Sequence, residues 1–185
     1  EQLGPNGFLT LEMPSGTPIN SEAYSEFLSA FDVLSRTRKF QDSLLVQARA
    51  QSKPIVLLEG KTDAELLSIA WEKLNPNIPI PFTPIGCGAV TGAGGAKTLN
   101  SALRYLTGVF DKKVLAIFDN DREGAPQFGG LKQPDFIVGI DSNHKHHAAK
   151  DVHAIMLPIP IGRDDFVPQK EVHRVLEIEH YFDDS

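Results

Sequence analysis

The stretch Val114-Leu115-Ala116-Ile117-Phe118-Asp119-Asn120-Asp121-Arg122-Glu123-Gly124 joins a run of five apolar residues to a cluster of carboxylates. An unbroken apolar run of that length is what a strand buried on both faces of a parallel sheet requires. Side chains alternate along an extended chain, so Asp119 and Asp121 share a face while Asn120 points away. Ligands of open parallel α/β sheets gather beyond the carboxyl ends of the strands. A carboxylate pair placed there suits a hard cation such as Mg²⁺, and through it phosphate chemistry.

A second run of the same kind lies upstream, where Pro54-Ile55-Val56-Leu57-Leu58 is closed by Glu59-Gly60-Lys61-Thr62-Asp63. From Pro54 onward strand and helix patterns alternate, the signature of an α/β domain whose mostly parallel sheet carries helices on both faces. Strand 54–58 leads to a helix in which Thr62 and Glu65 make a capping box. Leu66, Leu67, Ala70, Trp71 and Leu74 then form one apolar face that ends before Asn75-Pro76, and Asp63 falls in the first turn. A short strand at about 82–85 runs into the glycine-rich loop 86–95. Leu99, Ala102, Leu103, Leu106 and Phe110 mark the next helix, before the strand at 113–118. Further apolar runs occupy 136–140 and 154–157, and the sequence closes on Val175-Leu176-Glu177-Ile178-Glu179-His180-Tyr181-Phe182.

The glycine loop carries no nucleotide fingerprint. Ala96 stands where a P-loop needs glycine before Lys97-Thr98, and Thr91 where a dinucleotide loop needs its third glycine. Its glycines fit tight turns and close helix approach, with backbone amides near a phosphate as the alternative. Residues 1–20, rich in glycine and proline, read as a lead-in. Tyr24, Phe27, Leu28, Phe31 and Leu34, then Phe40, Leu44, Leu45 and Ala48, recur at helical spacing and predict one long helix or two. The expected division is a lead-in and helical segment over 1–52 and a catalytic domain over 53–185. The basic cluster Arg36-Thr37-Arg38-Lys39 fits a solvated helix face.

Composition narrows the classes. The 185 residues are 41% hydrophobic, enough for one domain with an appendage. The single cysteine, Cys87, rules out an internal disulfide framework, and no window holds the ~18 consecutive apolar residues of a membrane span. A cytoplasmic setting is expected, and residue 1, a glutamate, fits an excised piece of something longer. A net charge of −6 argues against broad electrostatic adhesion to nucleic acid, so contact with phosphate must be local or metal-mediated.

The two acidic motifs, in this order and about one βαβα unit apart, resemble the Toprim domain of topoisomerases, primases, RecR-type recombination mediators and OLD-family (overcoming lysogenization defect) nucleases. Val56 to Asp63 is similar to the first Toprim motif, and Ala116 to Gly124 to its Asp-x-Asp motif. The resemblance covers about 54–140. Beyond it, Leu176-Glu177-Ile178-Glu179-His180-Tyr181 is similar to the Ile-Glu-Asn-Tyr-like element that follows the core in OLD-family nucleases, with His180 where asparagine is usual. The resemblance implies a Toprim (Rossmann-like) fold preceded by a helical N-terminal segment. It also implies a Mg²⁺- or Mn²⁺-dependent endonuclease that nicks or cleaves DNA with two ions.

On that reading Glu59, Asp63, Asp119, Asp121 and Glu179, with Lys61 neutralising a phosphate oxygen, are catalytic. Glu59, Asp63, Asp119, Asp121, Glu177 and Glu179 are the candidate metal ligands, with Glu177 and Glu179 both open as the closing carboxylate. Two divalent ions about 4 Å apart need no protein nucleophile. DNA is the expected partner, with an ATPase domain elsewhere in the parent protein. The alternatives are a non-catalytic RecR-like module for repair assembly, the Toprim part of a topoisomerase or primase, and an unrelated phosphatase or receiver. His144, His146, His147 and His153 lack a zinc-site frame and read as an exposed loop.

Overall fold

The computed structural model describes residues 11–12, 17–18, 21–87, 94–170 and 173–182. The chain divides into two compact units, Glu1–Phe40 and Gln41–Ser185. In the first, β1 (Leu11–Glu12) pairs antiparallel with β2 (Thr17–Pro18). Helix α1 runs Ser21–Ala50, and the cut between the units falls within it. Most of the lead-in and the middle of the glycine loop, residues 88–93, lie outside the described residues.

The second unit is an α/β fold around a six-stranded, mostly parallel sheet. Its elements after α1 are β3 (Ile55–Leu58), α2 (Lys61–Leu74), β4 (Thr83–Gly86), α3 (Ala96–Val109), β5 (Val114–Phe118), β6 (Asn120–Asp121), α4 (Gly124–Gly129), β7 (Phe136–Val138), β8 (His144–His147), β9 (Val152–Met156) and β10 (Val175–Leu176). Short 3-10 turns occupy Asp164–Phe166 and Ile178–Tyr181. The strand order is β4-β3-β5-β9-β8-β7; β4, β3, β5 and β9 are parallel, β8 runs against them, and β7, antiparallel to β8, returns to their direction.

The central strands are apolar because both their faces are covered. All four residues of β3 are buried. On one face Val56 and Leu58 pack with Leu157, Leu176 and Ile178, flanked by Ala64, Leu66 and Leu67 of α2. On the other side α3, whose Leu99, Ala102, Leu103 and Leu106 are fully buried, packs on β5 and β3. Trp71 closes the α2–β4 connection by donating its indole N–H to the Ile78 carbonyl at 3.0 Å and meeting the Phe82 ring edge-on.

Two local expectations are corrected. Helix α2 is capped at Gly60, not Thr62: the Gly60 N–H donates to Asp63 Oδ2 at 2.6 Å, while the Thr62 hydroxyl turns to Asp63 Oδ1 at 3.3 Å. The helix therefore begins at Lys61, two residues ahead of where a threonine cap would start it. The histidine stretch is no loop. His144, His146 and His147 lie on β8 and His153 on β9, all half-buried, because the ladder to β9 fixes them and Lys145 is drawn inward between them.

Candidate active site

Parallel β3 and β5 are neighbours, so the acids that follow them come together. Glu59 Oε1 accepts the backbone N–H of Asp119 at 3.1 Å, which ties the two strand ends to each other. Asp121 Oδ1 accepts the amides of Glu123 at 3.0 Å and Gly124 at 2.6 Å, so one of its oxygens holds the turn into α4. Gly124 has no substitute there, because a Cβ would overlap the Asp119 carbonyl. Asn120 is buried between the two aspartates and turns the other way, donating Nδ2 to the Leu157 carbonyl at 3.1 Å. The result is a cleft of about 630 Å³ lined by Glu59, Asp119, Asp121, Arg122, Glu123, His173, Arg174, Val175 and Glu177.

The closing element reaches this cleft through a small ribbon. β10 pairs antiparallel with β6, Val175 opposite Asp121 and Leu176 opposite Asn120. Fully buried Leu176 anchors it in the core, and the Tyr181 hydroxyl donates to the Pro158 carbonyl. Of the two open carboxylates, Glu177 lines the cleft. Glu179, one turn further in the 3-10 segment, is exposed and outside it.

Two other expected residues also stand elsewhere. Asp63 is buried behind Glu59, its oxygens engaged by Gly60 and Thr62, and it does not line the cleft. Lys61 is exposed, pairs with Glu65 at 3.4 Å and lines a separate cleft of about 620 Å³ with Ser68, Thr83 and Pro84. Gly86 needs to be glycine for packing: a Cβ would overlap the Gly60 carbonyl.

Crowding sets the electrostatics. Burial is the main cause that pushes the Glu59 carboxyl up to about 7, opposed by the Asp119 amide and reinforced by Asp121 and Asp63. Burial likewise carries Asp119 up to about 8, with Glu59, Asp63, Asp121 and Glu177 adding to it. Glu177 is raised by burial, then by Glu179 and Asp121. Burial and the acids Glu59 and Asp63 hold the Cys87 thiol near 12, so it is no nucleophile at neutral pH.

Among the described residues no three His, Cys, Asp or Glu side chains are already set at metal-binding spacing. The donor set nevertheless fits a hard divalent cation. It is all carboxylate oxygen, and burial beside the other acids leaves Glu59 and Asp119 holding protons near neutrality. Binding would release those protons and draw the acids together.

The residues that sequence reasoning passed over are Arg122, Glu123, His173 and Arg174. Arg122 and Glu123 stood inside the quoted motif without a role, whereas Arg174 becomes visible only through the β6–β10 pairing, which local sequence does not announce. No protein family, curated protein or solved structure matches the chain.

Proposed function

We propose that this chain is a Toprim-type nuclease domain, similar to the catalytic region of OLD-family nucleases, which cleaves phosphodiester bonds of DNA with Mg²⁺ or Mn²⁺. The observation that carries the reading is the convergence of Glu59, Asp119, Asp121 and Glu177 on one cleft at the carboxyl ends of β3 and β5. The order of the two motifs along the chain and the return of the closing element to β6 support the same reading.

One or two divalent ions bound there would polarise the phosphoryl oxygen and lower the pKa of an attacking water. Glu59, Asp119, Asp121 and Glu177 supply the oxygens. Glu59, through the Asp119 amide, fixes the separation of the two strand ends. The backbone amides that take Asp121 Oδ1 orient its carboxylate. Near neutral pH, Glu59 and Asp119 give up protons as the cation enters, so metal binding and proton release are one event. The net charge of −6 makes that neutralisation a condition for approach of a phosphate. On the same resemblance, an ATPase domain lies outside this chain.

Incubation of the chain with supercoiled plasmid tests the reading. Nicking with Mn²⁺, weaker with Mg²⁺ and stopped by EDTA, is expected, since Mn²⁺ tolerates irregular coordination better. Loss of a second-shell partner alone costs 10–100-fold, so Asp119→Asn and Glu177→Gln should each lose at least about 100-fold, and Glu179→Gln far less. DNA binding without metal and without cleavage by either ion, unchanged in Glu59→Gln, would instead favour a non-catalytic RecR-like assembly module.

A further inference from the structure

Gly139, just past the end of β7, has no room for a side chain, because the His144 ring occupies the place of its Cβ with Nδ1 as the nearest atom. The edge of the imidazole therefore lies against the turn between β7 and β8, and the Ile140 N–H points at Nδ1 from 3.4 Å. A backbone amide can only donate, so His144 Nδ1 accepts and the ring proton sits on Nε2. That proton meets His153 Nδ1 at 3.1 Å, in a ring only 8° from parallel, which makes His153 Nδ1 an acceptor in turn. The His153 proton then sits on Nε2 and goes to Asp151 Oδ1 at 3.0 Å, while Asp151 Oδ2 lies 3.4 Å from Lys113 Nζ. One relay thus crosses from the β7–β8 turn through β8 and β9 to the residue before β5, and the amide at its far end fixes every imidazole proton in it.

An added proton has two places to go. On His144 it occupies Nδ1 and faces the Ile140 N–H, donor against donor. On His153 it also occupies Nδ1, and the hydrogen bond between the rings then survives only if the His144 proton moves from Nε2 to Nδ1, where it meets the same amide. Both routes keep the contacts of His153 with His144 and Asp151 and lose the one to Ile140. That contact, at 3.4 Å, is the longest made by either imidazole and gives way before the 3.1 Å one between the rings.

The surroundings offer no other outlet. His146, opposite His153 on the ladder, stands beside both rings with centroids 6.1 and 6.4 Å away and makes no hydrogen bond through its side chain among the described residues. β7 contributes only Phe136, Ile137 and Val138. Asp141, in the turn, is engaged by the Asn143 N–H at 2.8 Å, and Lys145 is turned to the Phe128 and Leu131 carbonyls. Ile140 itself is 95% exposed, so no packing of its side chain holds it once the ring lets go.

We propose that the His144–His153–Asp151 relay is an acid-sensitive latch on the β7–β8 turn: protonation of either imidazole releases Ile140 and loosens the outer edge of the sheet. Imidazoles change charge between about pH 5 and pH 8, and the latch works in that range. It is independent of the acidic cleft and of the nuclease reading.

Long-range proton–nitrogen correlation spectra of the histidine rings, recorded on the full chain between about pH 8 and pH 5, test it. At the upper end both His144 and His153 should carry their proton on Nε2 alone. As pH falls, the Ile140 amide resonance should move with the same midpoint as the His144 ring. Its exchange protection, corrected for the intrinsic rate, should drop about 2–10-fold, the worth of one ordinary hydrogen bond, while the amides of β9 keep theirs. His144→Phe keeps a ring and removes its nitrogens, and Gly139→Ala pushes the ring off the turn; each should leave the Ile140 amide insensitive to pH over this range. His146→Gln and Asp119→Asn should leave the response in place, which separates the relay from a neighbouring charge and from the cleft acids. The ring spectra of the wild type decide the matter even where a variant does not fold. A proton on His144 Nδ1 at the upper end of the range, an Ile140 amide that ignores the His144 titration, or an equal response in His144→Phe overturns the latch.

Discussion

The carboxyl ends of β3 and β5 and the histidine-bearing strands β8 and β9 both concentrate titratable side chains, and they resolve them in opposite ways. At β8 and β9 the polar groups are largely paired with one another. His144 Nε2 meets His153 Nδ1 at 3.1 Å, and His153 Nε2 meets Asp151 Oδ1 at 3.0 Å. The His144 and His153 rings are nearly coplanar, with centroids 5.3 Å apart, so the nitrogens face along their lone-pair directions. One tautomer assignment satisfies the chain, with His144 donating to His153 and His153 to Asp151. Asp151 also pairs with Lys113 at 3.4 Å. At β3 and β5 the acids have backbone amides and each other, but among the described residues no ion pair. A cluster closed on itself holds strands together. A cluster of like charges left open asks for a ligand, and that contrast places the candidate chemistry at β3 and β5 and not among the histidines.

The largest effect should come from the self-satisfied side. Lys145 is buried between the histidines and donates Nζ to the Phe128 and Leu131 carbonyls, each at 2.7 Å, as well as lying 4.5 Å from the Phe128 ring centroid. It thereby ties β8 to the end of α4. Lys145→Met keeps the apolar stem but orphans those carbonyls. The expected cost is about 2–3 kcal/mol, read as a lower denaturation midpoint with unchanged slope and faster amide exchange across 144–147. A loss under about 0.5 kcal/mol would mean that this region is not held by paired polar groups, and the comparison would lose one side.

An effect of opposite character belongs to the acids. In the folded protein Asp119 holds its proton up to about 8 and Glu59 up to about 7, against ordinary values of 3.8 and 4.5. Between those limits the folded chain binds more protons than the unfolded one. The stability these groups contribute is complete below their ordinary values and is lost as pH climbs through about 7 to 8. In EDTA, then, the melting temperature should fall by at least several degrees between pH 5 and pH 9, each tenfold difference in proton affinity between folded and unfolded chain being worth about 1.4 kcal/mol. Asp119→Asn should flatten that fall, and Mn²⁺ should restore more at pH 9 than at pH 5. A midpoint that rises with pH in metal-free wild type, or a slope that Asp119→Asn leaves alone, would show the cleft acids to be ordinary solvated carboxylates.

How far each region could be read follows from what fixes it. β3 and β5 announce themselves because a strand covered on both faces must be apolar throughout, and the acids at their ends break that run at the place where function sits. The alternation that turns Asn120 away from Asp119 and Asp121 is equally local. β8 has no such signature: His144-Lys145-His146-His147 carries no apolar or β-branched residue, and it is a strand because partners distant in sequence hold it. The cap of α2 was misplaced because Asp63, read as a site residue, holds the Gly60 amide. The choice between Glu177 and Glu179 depends on two ladder pairs between residues more than 50 positions apart, and Arg174 is set by the same pairing. Local pattern reaches the strands and their ends. It does not reach what a later segment brings back to them.

The smallest expected effect concerns Lys61, which the first acidic motif marks as a phosphate ligand and the fold turns elsewhere. Its side chain is 71% exposed and paired with Glu65 one helical turn on, itself 59% exposed. An exposed i,i+4 pair of this kind contributes about 0.3–0.5 kcal/mol and is screened by salt. As the first residue of α2, Lys61 faces the cleft shared with Thr83 and Pro84, whereas Asp63, two residues on, is buried beneath Glu59. Lys61→Ala should therefore cost no more than about 0.5 kcal/mol in urea titration and change plasmid nicking by less than about twofold. Lys61→Glu should behave alike apart from a repulsion with Glu65 that fades at high salt. A loss of nicking of 100-fold or more in Lys61→Ala, with the denaturation midpoint unmoved, would mean that the lysine swings into the acidic cleft when substrate binds. The division between a cleft that takes a ligand and surroundings already satisfied would then have to be redrawn to include the first turn of α2.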